Sequence, residues 1–379
     1  MDLVKINEVI SYVRTGFKGK RFTNNPSPFT PAPLSKEILN KIPDVSGKIA
    51  VFFTVEFAVE LRVRGADDVT IITEQHCPET KIIADYLGYK YMLLQDVEGN
   101  DMKFDVVVGN PPYQGTAETH QKFFNMAVEL TKDGGIVSFI QPATPYFNKK
   151  EKVGNHTTEM ISNIKKYRCE VKIVSGSVFA AANINTALAI TLLTKLPNTA
   201  GNLVKYESEL GRQYQNISID AINMLDMDPI LYQSLVNKVF NVVNKNGSIQ
   251  ELITTDLCEK KLDMKQIRGN AGRQDFYTLI SRDATNWKVD TKFEYGLSVS
   301  GIADVSFLTN YLTSYIARFC LSIYKFNANN HRGELRSVPQ VPFNVDWDDK
   351  KLCTYFGITD IEYAEIIRCI PDYHGKNVS

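Results

Sequence analysis

The residues best suited to chemistry are an amide, a carbonyl and an aromatic ring set within four positions, Asn110-Pro111-Pro112-Tyr113. They end an apolar run, Asp105-Val106-Val107-Val108-Gly109, whose composition predicts a buried β-strand. Each proline holds φ near about −65° and has no N–H, so acceptors outnumber donors along the turn. Such a turn suits a planar group with hydrogens to donate, an aromatic amine being the simplest. The lone pair of an aromatic amine is delocalised into its ring, which makes the nitrogen a poor nucleophile. The Asn110 side-chain oxygen and the Pro111 carbonyl would accept both N–H hydrogens and favour a pyramidal nitrogen with a localised lone pair. Those bonds strengthen as positive charge builds on the nitrogen, so they favour the transition state over the ground state. Tyr113 would stack on the same planar group. No strongly basic side chain is needed, because the product nitrogen is itself acidic.

The elements that must position this turn read as an α/β pattern. Strands are predicted over residues 48–53, 69–73, 89–94, 105–109 and 136–140, with a helix over 121–130 placing Phe123, Phe124, Ala127 and Leu130 inward. Leu34, Ile38 and Ile42 fall at helical spacing after a Thr30-Pro31 turn. In open α/β sheets ligands bind beyond the carboxyl ends of the strands, which is where Asn110 sits.

With these motifs in view, the chain resembles the adenine-N6 DNA methyltransferases of the gamma arrangement, whose motif IV is Asp/Asn/Ser-Pro-Pro-Tyr/Phe. Pro28-Phe29-Thr30-Pro31-Ala32-Pro33-Leu34 with the following helix looks like their motif X. Val178-Phe179-Ala180 and Asn185-Thr186-Ala187-Leu188-Ala189-Ile190 resemble motif VIII and the last strand. The resemblance implies a Rossmann-like methyltransferase sheet, mostly parallel with helices on both faces, followed by a C-terminal mixed α+β target-recognition region. It implies S-adenosylmethionine as cofactor, held by Phe29, Thr30, Pro31, Phe53, Glu56, Glu74 and Asp96. Glu74 follows the second strand, where the family pairs a carboxylate with the ribose hydroxyls. Asp96 follows the third, where an acidic or amide residue meets the adenine amino group. The substrate implied is an adenine flipped out of double-stranded DNA, at a cost of a few kcal/mol. Tyr113 and Phe179 would stack on it, each such contact contributing roughly 1–3 kcal/mol.

One segment departs from the family. Its first strand normally ends in a glycine-rich turn, because the backbone lies close to the cofactor and side chains would block that approach. Here the turn reads Phe53-Thr54-Val55-Glu56-Phe57-Ala58, without glycine. Either Glu56 with the Phe52, Phe53 or Phe57 rings builds a different pocket, or cofactor binding is lost and the fold serves DNA binding alone. An RNA adenine or a protein glutamine is an alternative acceptor, since both present the same kind of nitrogen.

Composition bounds the rest. With 379 residues, two domains are expected beyond a basic N-terminal arm: residues 1–24 as the arm, 25–200 catalytic and 201–379 target-recognising. Lysine plus arginine and aspartate plus glutamate both number 43, which disfavours purely electrostatic DNA binding but not localised contacts. Basic residues gather at Lys18, Lys20 and Arg21, and again at Lys265, Arg268 and Arg273 around a loop rich in Gly, Asn and Gln. That loop suits bidentate contacts to base edges. The six cysteines lack Cys-x-x-Cys spacing and the five histidines lack ligand spacing, so no metal is expected. No run approaches the ~18 apolar residues of a membrane span, and a cytoplasmic location in a bacterial or phage-infected cell is expected. Double-stranded DNA and a restriction endonuclease are the expected partners. Beyond residue 200, helices are predicted over 229–243, 305–324 and from Thr359 onward, with a turn over 244–247.

Overall fold

In the computed structural model the described residues are 30–98, 101–113, 118–147, 154–182, 187–254, 261–265, 278–281, 294–298, 305–324 and 332–370. Phe29, Lys18, Lys20, Arg21, Arg268 and Arg273 lie outside them, as does the segment 183–186. The chain divides into two compact units, one holding residues 1–145 and 152–219 and the other 146–151 and 220–379.

The first unit is built on β1 (Ile49–Phe52), β2 (Val69–Thr73), β3 (Lys90–Leu93), β4 (Phe104–Gly109), β5 (Thr131–Pro142), β6 (Tyr167–Val174), β7 (Leu188–Pro197), β8 (Leu203–Glu207) and β9 (Gln213–Ser218). They form one sheet in the order β3-β2-β1-β4-β5-β7-β6-β8-β9. Neighbours from β3 to β5 are all parallel, and β7 runs antiparallel between β5 and β6. The mostly parallel Rossmann-like sheet expected from the sequence is therefore present. The expected boundary near residue 200 falls short, because β8 pairs with β6 and β9 pairs with β8, carrying the sheet on to Ser218.

Helices cover both faces, as strands buried on both sides require. On one face lie α1 (Ala32–Asn40), α2 (Val55–Val63) and α3 (Pro78–Leu87). Leu34, Ile38, Phe57, Ala58, Leu61, Ile83 and Leu87 from these helices share a core with Val51, Ile71, Val108 and Ile140 of the strands. A short helix, α4 (Leu94–Glu98), follows β3. The opposite face carries α5 (Thr119–Leu130) and α6 (Asn155–Lys166), joined by an Asn125 Nδ2 to Glu159 Oε2 hydrogen bond of 3.0 Å. Phe124 of α5 meets Phe139 of β5 edge-on at 5.9 Å, and Phe139 in turn meets Phe52 at 5.8 Å.

Connectivity reverses at β1. The chain runs outward through β2 and β3, then crosses back to lay β4 on the other side of β1. A crevice opens at such a switch point, beyond the carboxyl ends of the two central strands. The residues that follow those ends are Phe53 and Asn110. Gly109 makes the strand pair close: a Cβ there would stand 2.8 Å from Phe52 Cβ and 2.9 Å from Phe139 Cε1.

The second unit contains α7 (Pro229–Asn246), α8 (Val305–Thr313), α9 (Tyr315–Ser322), α10 (Asp349–Phe356) and α11 (Asp360–Cys369). It also contains an antiparallel sheet in the order β10 (Ile253–Thr254), β13 (Glu294–Ser298), β11 (Lys261–Lys265), β12 (Thr278–Ser281). This is the mixed α+β region expected. Two expectations need correction. The helix predicted over 305–324 is two helices, because the Ser314 side chain accepts from Ala317 N and caps the second. Such a cap contributes about 1 kcal/mol and gives the chain a reason to break there. The turn expected at 244–247 is the last turn of α7, which stops only at Gly247, where φ is +81°. Thr359 does cap α11, in a reciprocal capping box with Glu362.

Candidate active site

The loops that meet at the switch-point edge of the sheet are tied together by hydrogen bonds. Asn110 leaves β4 with its backbone N–H donating to Phe52 O at 3.3 Å, so the turn starts pinned to β1. Its side chain is fully buried, and Nδ2 donates to Thr30 Oγ1 at 3.0 Å. Thr30, 2% exposed, is held in turn by Thr54: the two hydroxyl oxygens lie 3.3 Å apart. Thr54 donates to Glu56 Oε2, and Thr30 N donates to Glu56 Oε1 at 3.2 Å. A continuous chain of hydrogen bonds thus links Asn110, Thr30, Thr54 and Glu56, drawing the Thr-Pro turn, the end of β1 and the end of β4 to one place.

Pro31 is the cap residue of α1, with φ −56° and ψ 137°, and its carbonyl accepts from Leu34 and Ser35 N. That helix therefore starts directly behind Thr30 and fixes its position. Pro111 and Pro112 are buried, and Tyr113 is half-buried. The Tyr113 hydroxyl donates to Ile140 O at 3.3 Å, and its ring meets Phe179 edge-on at 6.5 Å with an interplanar angle of 76°. Burial holds the Tyr113 phenol well above its ordinary pKa, so it acts as a neutral donor. Phe179 is 2% exposed. It sits in a kinked 3₁₀ stretch, Gly176–Ala182, at φ −100° and ψ 52°.

The loop after β1 solves its lack of glycine in an unusual way. Phe53 has φ +67°, a left-handed step that bulky residues rarely take. A residue held in such a region costs of order 1–3 kcal/mol. Burying a phenylalanine ring returns about 1.5–3 kcal/mol, which offsets it. Phe53 is 3% exposed, and its ring packs against Phe123 at 4.6 Å and Phe52 at 5.9 Å. Successive strand side chains ordinarily alternate between faces. The left-handed step breaks that alternation and sends Phe52 and Phe53 to the same face, toward α5. The aromatic pocket expected from Phe52, Phe53 and Phe57 is corrected accordingly. All three rings are core, and the side chains this turn contributes to the site are those of Thr54 and Glu56.

Glu56 stands in the first turn of α2. Loss of hydration pushes its carboxyl up to about 7, against the opposing pull of the Thr54 hydroxyl and the backbone amides of Glu56, Thr30 and Val55. Glu74 is exposed just past β2, and Asp96 is exposed on α4 just past β3. Both therefore lie along the same edge of the parallel strands as Asn110. Lys265 ends β11 in the other unit.

Sequence reasoning missed Thr54 and the Ile140 carbonyl. Thr54-Val55-Glu56 at a helix start is a visible cue, because a hydroxyl two residues before a carboxylate pairs with it readily. A backbone acceptor such as Ile140 O leaves no trace in residue type.

An open sheet whose Asn-Pro-Pro-Tyr turn sits at the switch point, backed by a Thr-Pro turn, has the Rossmann-like architecture expected from the sequence. Residues 71–172, from β2 into β6 and including the Asn110–Tyr113 turn, match the model of the Eco57I restriction-modification methylase family. Of the motifs that carry the resemblance read from the sequence, the Asn110–Tyr113 turn lies inside this segment, and the Thr30-Pro31 turn and the stretch from Val178 onward lie outside it. No curated protein matches the chain. Among solved structures, a protein of Listeria monocytogenes assigned to the class I S-adenosylmethionine-dependent methyltransferases is 16% identical, with 54% of this chain and 72% of that one covered, at TM-score 0.39. The M protein of the type I restriction enzyme EcoKI is 15% identical, with 48% of each chain covered and a TM-score of 0.37. A protein from Pyrococcus horikoshii assigned as an RNA methyltransferase is 14% identical, with 51% of this chain and 99% of that one covered, at TM-score 0.35. The chain thus spans about half the length of the EcoKI subunit it resembles.

Proposed function

We propose that the protein is an S-adenosylmethionine-dependent methyltransferase that modifies the N6 amine of adenine in double-stranded DNA. The observation that carries this reading is the buried Asn110 amide at the switch point, with its nitrogen turned toward Thr30. That orientation turns Oδ1 to the opposite side of the amide, as an acceptor for a substrate amine. The Asn110 oxygen and the Pro111 carbonyl take the two N6 hydrogens and localise the nitrogen lone pair. Stabilisation of the charge that develops on nitrogen is the main contribution. Tyr113, anchored through Ile140 O, stacks on the flipped base; Phe179, expected to stack on it as well, is instead buried and packs edge-on against the Tyr113 ring.

The residues at the crevice fit the cofactor. Phe53 takes the left-handed step usually given to glycine while hiding its ring in the core, so its side chain does not block the approach of a cofactor to the turn. Glu74 and Asp96 are exposed past β2 and β3, and the reading assigns them to the ribose hydroxyls and the adenine amine. Thr30, Pro31 and Glu56 line the start of α1 and α2 for the methionyl end. When bound, S-adenosylmethionine supplies an electrophilic methyl group. The second unit, with the basic segment of Lys265, Arg268 and Arg273, serves target recognition, and Lys18, Lys20 and Arg21 add backbone contacts. A restriction endonuclease is the natural partner of such an enzyme. Among the described residues no helix is long and apolar enough to cross a membrane.

The test is expression in a host without adenine methylation, followed by mass spectrometry of digested DNA. N6-methyladenine is expected with the intact chain and absent with Asn110→Ala. Soluble, abundant protein that leaves DNA unmodified defeats the reading.

A further inference from the structure

The four-residue chain that ends on Asn110 has a direction, and its far end sets it. An ionised carboxylate only accepts hydrogen bonds. Glu56 therefore obliges Thr54 to donate. With its proton committed, Thr54 accepts from Thr30 across 3.3 Å, and Thr30 accepts from Asn110 Nδ2 across 3.0 Å. Every proton in the series points toward Glu56. We propose that Glu56 is a positioning residue: its carboxylate, acting through the Thr54 and Thr30 hydroxyls, fixes which end of the Asn110 amide faces the substrate. This rests on the reading of Asn110 as the acceptor for the target amine.

The physical reason such a device is needed lies in the amide itself. Asparagine presents an oxygen or an NH2 group with nearly the same shape, and only its hydrogen-bond partners choose between them. With the amide reversed, Asn110 would aim two donors at an amine that is also a donor. A catalyst that relies on this amide needs one orientation enforced, and a hydroxyl neighbour alone cannot enforce it, since a hydroxyl donates as readily as it accepts. Two hydroxyls in series become one-way only when an acceptor-only group closes the series.

Glu56→Gln inverts the instruction without changing shape. The backbone N–H of Thr30 can only donate, and it holds Oε1 at 3.2 Å. It keeps the oxygen of the substituted amide on its own side and leaves the NH2 group facing Thr54. Thr54 then accepts, Thr30 receives the Thr54 proton, and Thr30 donates toward position 110, which favours the reversed asparagine. Asn110→Asp alone is frustrated in a different way. Carboxylates at both ends claim both hydroxyl protons, and no proton is left between Thr30 and Thr54. The combination of Glu56→Gln with Asn110→Asp restores a consistent series running the other way, with an acceptor presented to the substrate as before.

The experiment compares the wild type, the two single variants and the double variant. Methyl transfer from S-adenosylmethionine to unmodified duplex DNA is followed in single turnover, and the asparagine side-chain amides are followed by NMR after selective nitrogen labelling. Each single variant is expected to lose about tenfold to a hundredfold in rate, the cost of one misdirected buried hydrogen bond. The double variant is expected to be faster than either. The Asn110 amide resonance, identified by its loss in Asn110→Asp, is expected to move in Glu56→Gln, and to shift with pH in the wild type only. Additive losses, or an Asn110 resonance unaffected by Glu56→Gln, overturn the relay even if the wild type methylates DNA. A wild type that methylates nothing defeats the enzymatic reading instead, and the NMR comparison still decides whether Glu56 orients the amide.

Discussion

The Asn110 side-chain amide donates to the Thr30 hydroxyl at 3.0 Å, across 80 positions of sequence, with both residues buried. This one bond couples the turn after β4 to the start of α1, so the Thr-Pro element has a task at the site besides lining it. Thr30→Val keeps the shape of the side chain but leaves a buried amide N–H without its acceptor. That loss is worth about 1–3 kcal/mol. The rate of single-turnover methyl transfer is therefore expected to fall roughly tenfold to a hundredfold, with Thr30→Ser retaining most of it. Equal rates for the valine and serine variants would remove Thr30 from the account.

Glu56 is expected to give methylation and stability opposite dependences on pH. Burial raises its carboxyl from 4.5 to about 7. A raised acid binds its proton more tightly in the folded chain, so its contribution to stability is complete below the ordinary value and lost as pH rises through about 7. The full span is roughly 3 kcal/mol. If the carboxylate orients Asn110 as proposed, methylation should rise over the same window. Glu56→Gln should melt higher than the wild type at pH 8, melt closer to it at pH 5, and methylate poorly at both. A variant that is slower and also less stable at pH 8 would contradict this.

Gly109 tests how tightly the switch point is built. An alanine Cβ would stand within 2.8 Å of Phe52 Cβ, which sits on a strand and has little room to retreat. Overpacking of this kind costs typically 1–3 kcal/mol. The strain falls one residue before Asn110, so Gly109→Ala should lower the denaturation midpoint and the methylation rate together. Gly65→Ala makes a useful contrast, since its added Cβ meets nothing within 4 Å and its strain is confined to φ +81° far along the chain from Asn110. It should lower stability while leaving the rate of the folded enzyme unchanged.

Much of the sheet was legible because buried parallel strands are short apolar runs, and the bounds of β2 fall where residues 69–73 predict them. The Asn110–Tyr113 turn was legible for a different reason: two consecutive prolines after a strand have few structural uses. The left-handed Phe53 was hidden, since a bulky residue at positive φ runs against its own conformational preference and is sustained only by rings from β1 and α5. The order Asn110, Thr30, Thr54, Glu56 was hidden too, because its members are scattered from residue 30 to residue 110 and meet only when the sheet forms. Beyond residue 200 the hydrophobic spacing gave helices but not their breaks. Ser314 divides α8 from α9 through one cap hydrogen bond, a local event that periodicity averages away.

The second unit carries its own pH signature at Glu362. Its side chain accepts from Lys238 Nζ at 2.6 Å, Thr359 N at 2.7 Å, Ser234 Oγ at 2.7 Å and Thr359 Oγ1 at 2.9 Å, tying the start of α11 to the middle of α7. Burial works to raise its carboxyl, but the Lys238, Thr359 and Ser234 hydrogen bonds prevail and hold it down to about 2. A depressed acid contributes stability that is present above its ordinary value of 4.5 and is lost as pH falls toward 2. The contribution at neutral pH is roughly 3 kcal/mol at most. With two units in the chain, a single melting curve mixes their responses. Amide hydrogen exchange in α7 and α11 isolates this one. Glu362→Gln is expected to speed exchange there by about tenfold to a hundredfold at pH 7, with the difference from wild type shrinking as pH drops below 4.5. Exchange that differs equally at pH 7 and pH 3 would show that the link is held by shape and not by charge.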